Sequence, residues 1–340
     1  AECEADILAL WDSPRQREAY TWFTAELANL RTAFRWAADQ GDVDVAGAIA
    51  TYAGFLGIGT ANYEPLAWAE ELIEPATAID HPRLATLYLI AASCWAAGRV
   101  EAAVRYADDG QMVIASGRHE VPFGAEGLPG LAYFAAGQAR RAVEWCRAQL
   151  ARGRDTHTLT GSATVFALTV AGFREEARAA AAGLIEAAEA TRNPYALAYA
   201  LSAYGFAFRD ADPHRARDAR LRGLAIAQNS GNRILETTLA AGLSSFEAKH
   251  GDPATAFDYL TVAICNYHES GNTSMIRIPL VVLAALFDRL GRHEAAATIA
   301  GFAFNPFTAA AVSEIGTAVT HLRMSSATRP TNRSPAWVRP

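Results

Sequence analysis

Residues 193–232 read NPYALAYALSAYGFAFRDADPHRARDARLRGLAIAQNSGN, and this stretch decides the fold. Leu197, Leu201, Tyr204 and Phe208 step by four, three and four residues, which places them on one face of a helix. Asn193-Pro194 opens that helix and Asp212-Pro213 opens the next. An Asn or Asp oxygen accepts from the orphan N–H groups of a first turn, and a proline there forfeits no hydrogen bond. Gly231-Asn232 ends the second helix and begins a third. The stretch is therefore a helix pair with a turn at each end.

Outward from it the pattern recurs. A glycine followed five residues later by alanine stands at Gly41/Ala46, Gly98/Ala103, Gly137/Ala142, Gly172/Ala177, Gly251/Ala256 and Gly291/Ala296, with Ala211/Ala216 in the same slot. From residue 98 onward the spacings are 39, 35, 39, 40 and 40. A second turn runs half a repeat out of phase, at Gly117-Arg118, Gly153-Arg154, Arg192-Asn193, Gly231-Asn232 and Gly271-Asn272. Helical stripes fill the intervals: Leu235, Leu239, Leu243 and Phe246; Phe257, Leu260, Ile264 and Tyr267; Leu280, Leu283, Leu286 and Leu290. Ser13-Pro14, Asp252-Pro253 and Asn305-Pro306 are further helix starts, and no segment alternates as a strand between hairpin turns. These features predict an all-α protein: a right-handed α-solenoid of antiparallel helix pairs, tetratricopeptide-like with a period near 40 residues.

The front of the chain breaks period, because Gly41 and Gly98 are 57 residues apart. The expected organisation is a linker over 1–13, an opening helical module over 14–78, a repeat array with a closing helix over 79–323, and a disordered tail over 324–340. That tail carries three prolines, three arginines and no acid, a composition that a shifted reading frame of GC-rich DNA also yields. Pro279 should kink or shorten the first turn of its helix. The stretch 119–130, with Pro122, Gly124, Gly127 and Pro129, reads as a loop interrupting the array.

Composition narrows the function classes. The 340 residues are 51% hydrophobic and 19% charged, as in a globular chain, with a net charge of −6 that disfavours general nucleic-acid binding. No uninterrupted apolar run reaches the roughly 20 residues of a membrane span, and the first residues are acidic where a signal peptide is basic. Four scattered cysteines suit a reducing cytoplasm. Alanine occurs 75 times and Lys249 is the one lysine, the signature of a high-GC genome such as an actinobacterium's.

The segment 22–37, WFTAELANLRTAFRWA, followed by Gly41-Asp42, carries a Glu-x-x-Asn-Leu-Arg-x-Ala-x-x-Trp-Ala string. It resembles the start of the helical sensor region in large actinobacterial (mycobacterial-type) regulators of the STAND and LuxR families. The resemblance implies a non-catalytic module that binds a protein segment or a small effector on its concave face. In such proteins the module works beside ATPase, cyclase-like or DNA-binding domains. Those domains' own residues have no counterpart here: a phosphate-binding loop needs glycines and a lysine, and no glycine-rich loop precedes Lys249. No terminal helix-turn-helix is evident, so neither ATP hydrolysis nor duplex-DNA binding is expected. Two alternatives are a truncated or frameshifted remnant without activity and, with less support, an enzyme built in the array.

Candidate site residues follow from chemistry. Trp11, Trp22, Trp36, Trp68 and Trp95 crowd the first hundred residues, and such density either wedges helices together or lines a groove. Trp22, Arg31, Trp36, Trp68 and Trp95 are the expected partner-binding residues, with Arg31 either pairing with Glu26 or facing a neighbouring domain. Cys265-x-x-His268 has no second ligand pair at zinc spacing and reads as packing, as do Cys94 and Cys146. Glu70, Glu71 and Glu74 read as a solvated helix face, and Arg215, Arg217, Arg220 and Arg222 as a surface helix. No catalytic residue, cofactor site or metal site is expected.

Overall fold

A computed structural model describes residues 2–119, 121–312 and 314–327. Helices account for 81% of the described residues, which contain no strand. In chain order they are α1 (Glu2–Trp11), α2 (Gln16–Asp39), α3 (Val43–Thr60), α4 (Glu64–Ala78), α5 (Leu84–Ala92), α6 (Val100–Ser116) and α7 (Gly130–Ala135). There follow α8 (Ala139–Leu150), α9 (Leu159–Val170), α10 (Arg174–Ala181), α11 (Leu184–Thr191), α12 (Pro194–Phe208) and α13 (Pro213–Ser230). The last six are α14 (Arg233–His250), α15 (Pro253–Glu269), α16 (Arg277–Arg289), α17 (His293–Ala303), α18 (Pro306–Ala311) and α19 (Glu314–Ala327). Short 3₁₀ segments occupy Ser93–Ala97 and Pro122–Gly127.

The expected helical-repeat solenoid is what forms. Both turn series fall between helices, and Gly98 and Gly231, one from each, sit at φ of 80° and 77°, the left-handed region that glycine enters at little cost. Arg192 occupies the same region at φ 56° without being a glycine. Four of the five caps read from sequence are made, since Asn193, Asp212, Asp252 and Asn305 each accept from the backbone N–H three residues on, and the turn residue Asn232 does the same. Pro279 lies in the first turn of α16, where its missing N–H breaks no helical bond.

Helices alternate in burial. The apolar α3, α5, α9, α12, α14 and α16 form an inner layer, whereas α6, α8, α13, α15 and α17 pack one face on it and wet the other. One core runs from Ile7 to Leu243, and a second joins Ala256 to Leu322 across α15, α16, α17 and α19. Among the described residues, only α3 is long and apolar enough to cross a membrane, and 67% of it is buried inside the fold as a core helix.

Several local expectations are corrected. Residues 1–13 hold α1, whose Ile7 and Trp11 are buried, so the linker is a packed helix. Ser13-Pro14 does not cap α2: the Ser13 hydroxyl donates to the Leu10 carbonyl and accepts from Arg15 N–H, shaping the α1–α2 turn. The interrupting stretch at 119–130 carries the 3₁₀ segment Pro122–Gly127, and its Gly124 to Gly127 are buried. The closing helix over 305–323 is two helices, α18 and α19, separated near residue 312. The tail expected from Met324 begins inside α19, which reaches Ala327, and the rest lies outside the described residues.

The front of the chain is also tied to its middle. Asn193, Asn232 and Asn272, buried to 1%, 0% and 0% exposure, use Oδ1 on the starts of α12 and α14 and on Met275 N–H in the turn before α16, and all three turn Nδ2 toward the opening helices. Asn193 Nδ2 donates to the Trp11 carbonyl and Asp12 Oδ1, Asn232 Nδ2 to the Tyr20 hydroxyl, and Asn272 Nδ2 to the Tyr63 hydroxyl. Arg17 reaches the carbonyls of Gln228 and Asn229, and His157 pairs with Asp12. The array curls until residues about forty apart line one seam against α1, α2 and the α3–α4 turn.

Candidate binding cavity

The curl leaves a cavity of about 170 Å³ on the inside of the inner layer. Its wall is drawn from α3 (Ile58), the 3₁₀ segment (Trp95), α7 (Phe134), α9 (Phe166), α12 (Tyr195, Tyr199, Phe206), α14 (Thr238) and α16 (Ile278). Phe166 stacks on Tyr199 at 5.6 Å and 21° and lies 5.2 Å from Phe206, while Phe134 meets Phe307 edge-on at 5.0 Å. Offset and edge-on aromatic contacts of this kind give a rigid apolar wall.

Among the described residues, two cations complete the lining, Arg209 and Arg220, and no carboxylate, histidine or cysteine contributes to it. Arg220 starts on the outer helix α13 yet is 6% exposed. It passes between two inner helices at their glycines: a Cβ on Gly205 would lie 2.7 Å from Arg220 Cγ, and one on Gly242 2.8 Å from its Nε. Its Nη1 donates to the Gly242 carbonyl at 3.0 Å. Arg209 lies 4.1 Å over the Phe206 ring, with Nε 3.7 Å from Asp210 and Nη2 donating to the Ala310 carbonyl. The Tyr199 hydroxyl is buried and has no hydrogen-bond partner among the described residues.

The five expected partner-binding residues are not gathered together. Only Trp95 lines this cavity. Trp68 is 3% exposed and stacks on Phe34 at 5.1 Å, Trp22 packs against Tyr52, and Trp36 is 64% exposed. Arg31 forms a two-pronged pair with Glu64, joining α2 to α4, and Glu26 takes Asn29 instead. Of the acidic face, Glu70 holds Arg99 and Glu71 holds Arg35. The basic stripe on α13 is split: Arg217 pairs with Glu247, Arg222 with Glu189, and Arg220 turns inward. Sequence reading missed Arg220, whose signal was the small residue facing it on each neighbouring helix.

Burial sets the protonation states here. It pushes the Cys94 thiol up to about 11 and the Cys146 thiol up to about 12, so neither supplies a thiolate near neutrality. Burial also raises the Tyr199 phenol well above its usual range and Tyr195 to about 12, leaving both as donors. A phenol whose value is raised on folding contributes stability that is complete below its unfolded value near 10 and is lost as pH rises through the folded one. Chemical denaturation is therefore expected to give a level midpoint up to about pH 10 and a steep fall toward pH 12. Tyrosine absorbance should follow the same transition; full ionisation of all tyrosines in a still-folded chain would contradict the burial of Tyr195 and Tyr199.

A larger, open groove of about 880 Å³ lies along the seam, between Arg17, Tyr20 and Thr24 on α2 and Gly231, Arg233 and Glu269. It mixes charges of both signs.

No family model matches the chain, and no curated protein matches it. Among solved structures, the chain is similar to a Rap protein complexed with competence and sporulation factor, at 13% identity and a TM-score of 0.55, over 95% of this chain and 99% of that one. At that identity the likeness concerns the fold, a helical-repeat solenoid.

Proposed function

We propose that this chain is a non-catalytic helical-repeat binding module whose inner cavity takes the apolar body of a protein segment or small effector, with an anionic group set against Arg209 and Arg220. The observation that carries the reading is the lining: aromatic walls with two arginines set among them, in a chain of net charge −6. A guanidinium at an apolar wall favours a ligand carboxylate through charge-assisted hydrogen bonds. Because no carboxylate, histidine or cysteine among the described residues lines the cavity, they offer it no general base or activated nucleophile, which supports binding rather than catalysis. The Rap protein to which the fold is similar was solved with a bound factor, which supports the use of such a scaffold for ligand recognition. The Glu26-to-Ala37 string supports placing the module as the sensor region of a STAND/LuxR-type regulator.

Calorimetric titration with 2-naphthoate and its neutral amide tests the cavity. The carboxylate is expected to bind about tenfold or more tightly than the amide. Arg209→Gln should erase that preference, and Ser202→Phe, which fills the cavity, should abolish binding of both. Equal affinity for acid and amide, or binding indifferent to Ser202→Phe, would overturn the reading.

A further inference from the structure

Asp288 on α16, His293 on α17 and His321 on α19 converge at the C-terminal end of the array, and none of the three lines the cavity. His293 Nδ1 lies 3.0 Å from Asp288 Oδ1, and His321 Nδ1 lies 2.9 and 3.0 Å from the two Asp288 oxygens. The two imidazoles meet edge to face at 5.2 Å and 78°. All three donor atoms fall within 4.8 Å of one another. The Asp288 side chain is only 12% exposed, whereas those of His293 and His321 are 35% and 52% exposed. The donors therefore present a buried carboxylate and two imidazoles with one side open to water.

We propose that Asp288, His293 and His321 form a binding site for a divalent transition cation of the zinc type. Metal–ligand bonds of about 2.0–2.1 Å to imidazole nitrogen and carboxylate oxygen set neighbouring donors roughly 3.3 Å apart in a tetrahedron. The Asp288–imidazole separations need open by only a few tenths of an ångström to admit the ion, and the two imidazole donors already lie within 4.8 Å of each other. Two imidazoles and one carboxylate select Zn²⁺ and its first-row neighbours over Mg²⁺ and Ca²⁺, which prefer all-oxygen shells. Water completes the shell on the exposed side of His321. Each donor comes from a different helix, so the ion would pin α19 to the α16–α17 pair and clamp the second core, into which Ile315, Val319 and Leu322 pack. This inference stands apart from the cavity reading.

The competing site on this chain is Cys265 and His268, both exposed on α15. The test uses the full chain stripped with chelator and titrated with Zn²⁺ by calorimetry, with thermal unfolding followed in parallel. One Zn²⁺ per chain and a raised unfolding midpoint are expected, since a ligand that binds only the folded state stabilises it. His293→Gln and His321→Gln should each weaken binding at least about tenfold, because even outer-shell changes reach that size. The paired Cys265→Ser, His268→Gln variant should bind as the parent does. Co²⁺ in place of Zn²⁺ should show weak visible bands without thiolate charge transfer. Absence of stoichiometric binding, or loss of it in the Cys265/His268 variant alone, would overturn the assignment. Circular dichroism keeps the test sound: should His321→Gln loosen α19, His293→Gln on α17 and Asp288→Asn on α16 still decide it.

Discussion

Asn232→Ala is expected to lower the unfolding free energy by about 2–4 kcal/mol, a large share of what a folded chain has. Asn232 is wholly buried and does two things at once. Its Oδ1 caps α14 by accepting from Leu235 N–H, and its Nδ2 donates to the Tyr20 hydroxyl on α2. Alanine removes the cap, worth about 1 kcal/mol, and takes a partner from a buried hydroxyl, which costs about 1–3 kcal/mol. Tyr20→Phe isolates the second part. It leaves the cap intact but strands two donors, Asn232 Nδ2 and Trp11 Nε1, so its loss should be about 1–3 kcal/mol. The pair should be non-additive in a double-mutant cycle by at least about 0.5 kcal/mol. Urea denaturation gives the energies, and hydrogen exchange should rise across α1 and α2 before α14 opens. Full additivity, or exchange rising only in α14, would mean that Asn232 caps its helix and does not hold the opening helices.

Gly124→Ala is expected to cost about 3 kcal/mol or more, while the same change at Gly137 costs only about 1 kcal/mol. Both glycines have positive φ, 65° and 74°, and both look like ordinary turn residues in the sequence. Their surroundings differ. A Cβ on Gly124 would stand 2.1 Å from the Arg154 carbonyl oxygen and 2.8 Å from Thr156 N, both backbone atoms. The Thr160 hydroxyl locks this junction, donating to the Gly124 carbonyl and accepting from Gly127 N–H, each at 3.1 Å. Neither strand can retreat without breaking those bonds. A Cβ on Gly137 would meet nothing within 4 Å, so only the left-handed backbone penalty remains. Thermal unfolding of the two variants side by side provides the comparison. Equal losses would show that backbone strain alone governs both positions.

What the sequence by itself determined is everything written within a few residues. Two turn series, capping pairs such as Asn193-Pro194 and Asp252-Pro253, and apolar stripes at helical spacing named the helix pairs. They did so because a cap, a left-handed glycine and a helical face are each satisfied by neighbours one turn away. Where local signals were thin, the reading slipped: the linker expected over 1–13 holds α1, and the closing helix expected over 305–323 is two helices.

Only the tertiary structure decided where the repeats meet. The donor half of Asn193, Asn232 and Asn272 finds partners about 180 to 210 residues away, and nothing near them in sequence announces the Trp11 carbonyl, Tyr20 or Tyr63. The same holds for Arg220, a surface residue by its stripe, which the gaps at Gly205 and Gly242 draw into the interior. It holds again for Asp288, His293 and His321, three unremarkable positions on separate helices. Trp95 reaches the cavity while Trp36 faces solvent, although both are tryptophans of the same crowded region. Periodicity states which face of a helix is apolar. Which other face it meets depends on how far each pair rotates against the last, a property of side-chain packing accumulated over the whole curl.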